Sequence, residues 1–514
     1  MSEAGGRSAA RAWRLLCWSL PWLAAALPAG AGLAAERPAA RPNVVLLMAD
    51  DLGWGDTGYN GHPVLATPSL DAMSAAGLRF DRFYAASPVC SPTRGSVLTG
   101  RHPMRFGVFG ANVGHLRGEE ITLAEVLRGR GYRTGHFGKW HLGTLLPDFS
   151  GKGDGRDPAQ NYSTPSMHGF EEWFSTEYSV ASWDPYDPGH QVPGRGLRDG
   201  GPGVDPRVLY WHNGENVTRP LLGDDSRILM DRAIPFIEEA VAAGRPFLAV
   251  IWFHAPHRPV IGGPQYRARY AAETVPRQHY YAAVTAMDEQ IGRLRGRLRQ
   301  LGVAEDTLVW FCSDNGPDGM RGPVQRLQGS TGPLRGRKWS LYEGGVRVPG
   351  LVEWPARIAG GRATDFPVVT SDLFPTVLVA VGEPLPAGRP YDGIDLLPAI
   401  DGWQRRRPRP IGFRFGNQAS LLDDRYKLID NHAGGGPEPA DAGAAPRPRY
   451  ELYDVVADPA ESRDLAPDNP RTVERMAQAL SEWQESCVRS WHGDDYPSPV
   501  RPRPAAAASG RLSR

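Results

Sequence analysis

Two apolar runs in this chain end in oxygen-bearing side chains. Asn43 to Met48 (N-V-V-L-L-M) leads into Ala49-Asp50-Asp51-Leu52-Gly53, and Thr307 to Cys312 (T-L-V-W-F-C) leads into Ser313-Asp314-Asn315-Gly316. Short runs without polar alternation read as strands buried on both faces of a parallel sheet. In open α/β sheets, sites form beyond the carboxyl ends of such strands. Three carboxylates and a carboxamide, with no thiolate or imidazole demanded, suit a hard cation, Ca²⁺ or Mg²⁺. Alone, Asp-Asp reads rather as a turn and Asp-Asn-Gly as a hairpin signal. Two such endings, each just past a buried strand, favour a metal.

A third reactive element lies between them, Ser87-Pro88-Val89-Cys90-Ser91-Pro92-Thr93-Arg94 continuing to Leu98-Thr99-Gly100-Arg101. Cys90 falls in a turn just before a predicted helix. There it could be an ordinary low-pKa nucleophile or a buried structural cysteine. Lysine is the other uncommon residue: of 58 basic side chains only Lys139, Lys152, Lys338 and Lys427 are lysines, against 54 arginines. Each lysine therefore invites the question why it is not arginine, which cannot give up its proton.

The elements that must hold these groups alternate. Helices are predicted over Thr67–Gly77, Ile121–Gly131, Asp225–Ala243 and Tyr280–Leu301, and further strands over Tyr132–Phe137 and Pro246–Phe253. Apolar strands alternating with amphipathic helices predict an α/β fold, a mostly parallel sheet with helices on both faces. After about Val381 the pattern changes. Short strands at Ile411–Phe415, Arg425–Ile429 and Tyr450–Tyr453, then a helix over Arg471–Arg489, predict a small antiparallel sheet with one packed helix. The expected divisions are residues 42–385 and 386–495, followed by a disordered Pro- and Ala-rich tail over 496–514.

The chain has 514 residues, 41% hydrophobic and 22% charged, with a formal net charge of +1. That composition supports a sizeable core and argues against nucleic acid as a partner. Arg7, Arg11 and Arg14 precede an apolar stretch from Leu15 to Leu33 and then Ala34-Ala35. This is the layout of a secretory signal peptide over residues 1–35, which points to an extracytoplasmic location, secreted or periplasmic. No later run is long enough for stable membrane insertion. Removal of the leader would leave Cys90, Cys312 and Cys487, an odd number that excludes a disulfide scaffold.

Cys90-Ser-Pro-Thr-Arg94 with Leu98-Thr-Gly-Arg101 resembles the signature of type I sulfatases, whose fold is that of alkaline phosphatase. Further matches follow in order: Gly138-Lys139-Trp140-His141, His168-Gly169-Phe170, His254-Ala255-Pro256-His257, Gly336-Arg337-Lys338, Tyr342-Glu343-Gly344-Gly345 and Glu451-Leu452-Tyr453-Asp454. The resemblance spans roughly residues 42 to 490, and arylsulfatases and N-acetylgalactosamine-6-sulfatases are the nearest in look. It implies conversion of Cys90 to formylglycine by a formylglycine-generating enzyme, and a lysosomal location in a eukaryote. It implies one Ca²⁺ on Asp50, Asp51, Asp314 and Asn315, with modified Cys90 completing the shell. Arg94 and Lys139 would hold the nucleophile and the sulfate, His141 would bond the second hydrate hydroxyl, and His257 and Lys338 would face the ester oxygen. Of the two histidines in His254-Ala-Pro-His257, the second matches better.

The implied activity is hydrolysis of sulfate monoesters through a covalent sulfo-enzyme. The rival enzyme is a phosphatase or phosphodiesterase of the same fold, which would need a second metal set. An inactive carbohydrate-binding relative would need a broken site. Trp173, Tyr178, Trp183, Tyr186, Tyr210, Trp211 and His212 crowd the insertion 148–219, where they could stack on a sulfated sugar or simply pack the loop. Lys139 and Lys338 are expected to resist replacement by arginine, and Lys152 and Lys427 to tolerate it.

Overall fold

The computed structural model describes residues 41–152, 156–190, 204–319, 327–433 and 448–496. The expected leader and residues 497–514 lie outside the described residues. Five parallel strands form the centre of a ten-stranded sheet, in the order Thr307–Ser313, Asn43–Ala49, Phe247–Trp252, Arg133–Lys139, Glu172–Thr176. Val44, Leu46 and Met48 pack into the core on one face, and Val45, Leu47 and Ala49 into that on the other. This two-sided burial is why the run has no polar alternation. Helices Pro68–Ala76, Asp225–Ala242 and Val275–Gln300 pack on one another and on the sheet. Shorter strands extend both edges: Gly350–Glu353 runs antiparallel to Thr307–Ser313, and Trp211–His212 antiparallel to Glu172–Thr176.

The last pairing changes the reading of the aromatic insertion. Trp173, Tyr210 and Trp211 are buried core residues, so packing, not sugar stacking, accounts for these three. Tyr178, Trp183 and Tyr186 are only half-buried.

The C-terminal sheet has four antiparallel strands, Ile411–Phe415, Gln418–Leu422, Tyr426–Asp430 and Tyr450–Asp454, under the helix Pro470–His492. Met476 and Leu480 of that helix pack on Ala419, Leu421, Leu428 and Leu452. The helix end is also tied back: Tyr496, placed by its composition at the start of the tail, is buried and its hydroxyl bonds Glu120.

Lys427 departs from expectation. It is fully buried, 3.0 Å from Glu343 Oε1 and 3.1 Å from Glu461 Oε1. Glu461 Oε2 accepts the Glu343 amide at 2.6 Å, and Tyr84 donates its hydroxyl to Glu343 Oε2 at 2.9 Å. A guanidinium would have to displace these groups, so Lys427 is not freely replaceable. Burial pushes the Glu461 carboxyl up to about 7, against the pull of Lys427.

Candidate active site

Each of the five central strands delivers a polar side chain at or just beyond its carboxyl end. Asp50 and Asp51 leave the strand Asn43–Ala49, and Asp314 and Asn315 leave Thr307–Ser313. Asp51 has a left-handed backbone, φ 66°, uncommon for a residue other than glycine. Its amide donates to Asp314 Oδ1 at 3.1 Å and the Leu52 amide to Ser313 Oγ at 3.0 Å, tying the two exits together. Lys139 is the last residue of its strand. At Gly138, φ 106°, a Cβ would lie 1.9 Å from the Trp252 carbonyl, so only glycine lets the strand pass its neighbour there.

Cys90 opens the helix Cys90–Thr99, which is buried along its whole length. Its Sγ lies 3.6 Å from Asp50 Oδ1 and 3.4 Å from Lys338 Nζ. Arg94, one turn on, donates to Asp314 Oδ2 at 2.6 Å and to the Lys139 carbonyl at 3.2 Å. Lys139 donates to Asp50 Oδ2 at 2.7 Å, and Lys338 and Asn315 donate to Asp51 Oδ1 at 2.5 and 2.7 Å. Lys338 sits on a loop pinned at both sides, its own amide on the Pro317 carbonyl at 3.2 Å and the Trp339 amide on the Pro88 carbonyl at 3.0 Å.

The two candidate histidines separate. His254 is fully buried between Asp225, at 2.8 Å, and Thr176, at 2.7 Å. His257 lies at the carboxylates, with Nε2 3.7 Å from Asp51 Oδ2. Its Nδ1 bonds the Arg258 carbonyl at 2.7 Å; a carbonyl only accepts, so Nδ1 carries the proton and Nε2 is free. His141 is buried, with Nε2 2.6 Å from Asn112 Oδ1.

Two residues escaped the sequence reading. Ser179 donates to Asp50 Oδ2 at 2.9 Å. It stands three residues past the strand Glu172–Thr176, and recognising that strand would have marked it. Asn112 sits in a Gly-flanked loop that carries no motif.

Three carboxylates face three fixed cations, and burial sets their proton affinities against that field. Asp50 is held well below the usual carboxylate range: Lys139, His257, Arg94 and Lys338 together outweigh its burial. Asp51 is pushed up to about 7 by burial, which Lys338 opposes and Asp50 and Asp314 reinforce. Burial raises the Cys90 thiol to about 12 despite Lys139 and Lys338. With the protein's own charges, the unmodified thiol is therefore a poor nucleophile, and the low-pKa reading of Cys90 does not hold. Burial likewise keeps His141 and His257 well below the ordinary imidazole value.

Asp51 Oδ2 and Asn315 Oδ1 are buried without a hydrogen-bond partner. Leaving a buried polar atom unsatisfied costs about 1–3 kcal/mol. Asp50, Asp51, Asp314 and Asn315 supply only hard oxygen donors, so this set fits a divalent cation of the Ca²⁺ type. Ligating atoms of Asp50, Asp51, Cys90 and His257 lie within 4.8 Å of one another, the one such cluster found among the described residues.

A family model described as Sulfatase matches residues 42–383. N-acetylgalactosamine-6-sulfatase of Canis lupus familiaris is 35% identical over 432 residues, covering 80% of this chain and 74% of that protein. Arylsulfatase A of Homo sapiens is 34% identical over 480 residues, 89% of each. The solved structure of Ps i-CgsB with k-i-k-neocarrahexaose superposes with a TM-score of 0.71 at 26% identity, covering 90% of this chain and 94% of that one. The chain belongs to the sulfatase family and is a sulfuric ester hydrolase. Among the described residues no helix is long and apolar enough to cross a membrane.

Proposed function

We propose that the enzyme cleaves sulfate monoesters with Cys90, converted to formylglycine, at the centre of its reaction and one Ca²⁺ held by Asp50, Asp51, Asp314 and Asn315. The observation that carries this reading is the placement of Cys90 Sγ, 3.4 Å from Lys338 and 3.6 Å from Asp50, at the opening of a fully buried helix. Hydrated formylglycine supplies two hydroxyls, and the cation supplies charge neutralisation. With a divalent ion bound, the cluster of three carboxylates, Arg94, Lys139 and Lys338 gains a net positive charge that matches a sulfate group. Arg94, Lys139 and Lys338 stabilise the charge that develops as sulfur is attacked, an effect worth about 3 kcal/mol for a single well-placed donor.

Lys338, or His257 once it carries a proton on Nε2 as well, gives a proton to the ester oxygen as the S–O bond to the alcohol breaks. His141 takes the proton of the second hydroxyl as the carbon–oxygen bond to sulfate breaks and the aldehyde reforms. Covalent catalysis of this kind divides one hard displacement into two steps.

The substrate reading is a sulfated sugar. It is supported by the half-buried Tyr178, Trp183 and Tyr186 and by similarity to the N-acetylgalactosamine-6-sulfatases and to Ps i-CgsB in complex with k-i-k-neocarrahexaose. The N-terminal pattern of Arg7 to Ala35 supports export and, with it, maturation by a formylglycine-generating enzyme. Peptide mass spectrometry of active enzyme tests the core of the proposal. A Cys90 peptide carrying the aldehyde is expected; full activity with only the free thiol would overturn it. Activity is also expected to fall on exhaustive chelation and return with Ca²⁺.

A further inference from the structure

The ring of His141 is held by one side chain. Its Nε2 lies 2.6 Å from Asn112 Oδ1, and its Nδ1 is buried with no partner. We propose that Asn112 is a positioning residue that fixes the tautomer of His141, with the proton on Nε2 and the lone pair on Nδ1, so that Nδ1 is the base of the aldehyde-regenerating step. This deepens the sulfatase reading and rests on it for the role of His141.

The chemistry of the contact decides the tautomer. A carboxamide oxygen only accepts, so the nitrogen facing it must donate. The opposite arrangement would turn the amide around and leave an N–H at Nδ1, buried and without an acceptor. The charged groups acting on this ring keep it neutral: burial comes first, and Lys139, Lys152, Arg156 and Arg94 all act to disfavour a further positive charge. Glu177, whose backbone carbonyl accepts from the His141 amide, has its carboxylate engaged elsewhere, accepting from Ser150 Oγ at 2.7 Å and the Gly151 amide at 2.9 Å. Burial and the same cations keep the ring neutral, so one nitrogen must be bare.

The backbone holds the pair in register with the nucleophile. Asn112 and His141 both adopt left-handed φ, 63° and 56°, a conformation in which Asn and His are enriched. The His141 amide bonds the Glu177 carbonyl at 3.0 Å. The Asn112 amide bonds Ser91 Oγ at 3.3 Å, next to Cys90 on the same helix. The loop beneath Asn112 rests on the C-terminal helix: Phe109 meets Trp491 edge-on at 5.0 Å, and Arg117 lies 4.2 Å above the same ring.

The test uses full-length enzyme in which Cys90 conversion has been quantified. In protein labelled with ¹⁵N-histidine, with His141→Gln used for assignment, the wild-type ring is expected to show a protonated Nε2 and a bare Nδ1. Asn112→Ala is expected to lower kcat on an aryl sulfate about 10-fold, a fraction of what a general base contributes, with KM within about twofold. Asn112→Asp places a carboxylate against Nε2 and is expected to move the acid limb of kcat up by about one pH unit. A bare Nε2 in the wild type, or an acid limb unmoved in Asn112→Asp, overturns the proposal. A purely structural role would lower Tm in both variants and leave the limb in place. The ring spectra report the tautomer whether or not the formylglycine reading stands, so the two failures are separable.

Discussion

At the carboxyl edge of the main sheet, Asp50, Asp51 and Asp314 meet Arg94, Lys139 and Lys338; under the C-terminal sheet, Glu343 and Glu461 enclose Lys427. All of these side chains are buried, so burial does not tell the clusters apart. The closeness of donors does. Around Lys427 each of the four carboxylate oxygens has a nitrogen or hydroxyl within 3.1 Å, although Glu461 Oε1 meets the ammonium as an ion pair and not as a hydrogen bond. At the sheet edge Asp51 Oδ2 and Asn315 Oδ1 have no hydrogen-bond partner, and His257 Nε2 stands 3.7 Å from Asp51 Oδ2. One cluster sets a donor against every carboxylate oxygen and holds two parts of the fold together. The other leaves oxygens open where the proposed function puts a cation.

Asp314→Ala should produce the largest effect, because it strikes both properties of the open cluster. It removes a ligand of the proposed cation and leaves Arg94 buried without its 2.6 Å partner. Loss of all measurable turnover is expected, together with about 3–5 kcal/mol of stability, as for other broken buried pairs. Lys427→Met should cost a comparable 3–5 kcal/mol in urea unfolding and leave kcat per folded, converted enzyme within about twofold. A large fall in kcat there would erase the distinction between the clusters.

Lys338→Arg is the mirror case: the positive charge is kept, and kcat is reduced about 10²-fold, as when a positioned proton donor is lost. Retention of near wild-type kcat would show that a fixed charge suffices at that position. The smallest effect concerns Glu461. Its carboxyl titrates near 7 when folded against about 4.3 when unfolded. Between those values the folded state binds more protons than the unfolded, so this group's contribution is present at low pH and is lost as pH rises through 7. Glu461→Gln should therefore gain Tm relative to wild type between pH 5 and pH 8, and a flat difference would reassign that proton to a neighbour.

How legible each part was in the sequence follows from how local its signal is. Asn43–Ala49 and Thr307–Ser313 were readable because strands buried on both faces must be apolar throughout. Phe83–Tyr84 and Arg347–Val348 are two-residue strands, too short for any period, and Gln418–Leu422 (Q-A-S-L-L) has no clean alternation. The proposed metal ligands and Cys90 fall on dense motifs. Ser179 and Asn112 act through single long-range contacts, to Asp50 129 residues away and His141 29 residues away, and nothing next to them in the chain announces the partner. The expectation that Lys427 tolerates arginine misses its contacts for the same reason: its partners Glu343 and Glu461 lie elsewhere in the chain.

The depth of Cys90 also sets a schedule for biosynthesis. Only 1% of its surface is exposed in the folded chain, so an enzyme that converts the thiol must reach it before the site closes. Lys338, which lies against Sγ, is 248 residues further along. At a synthesis rate of ~5–20 residues per second, that stretch takes about 12–50 s to emerge. Through that interval Lys338 cannot yet close over Sγ. Expression conditions that lengthen the interval, such as lower temperature, should raise the converted fraction, and those that speed folding past it should yield well-folded but inert protein.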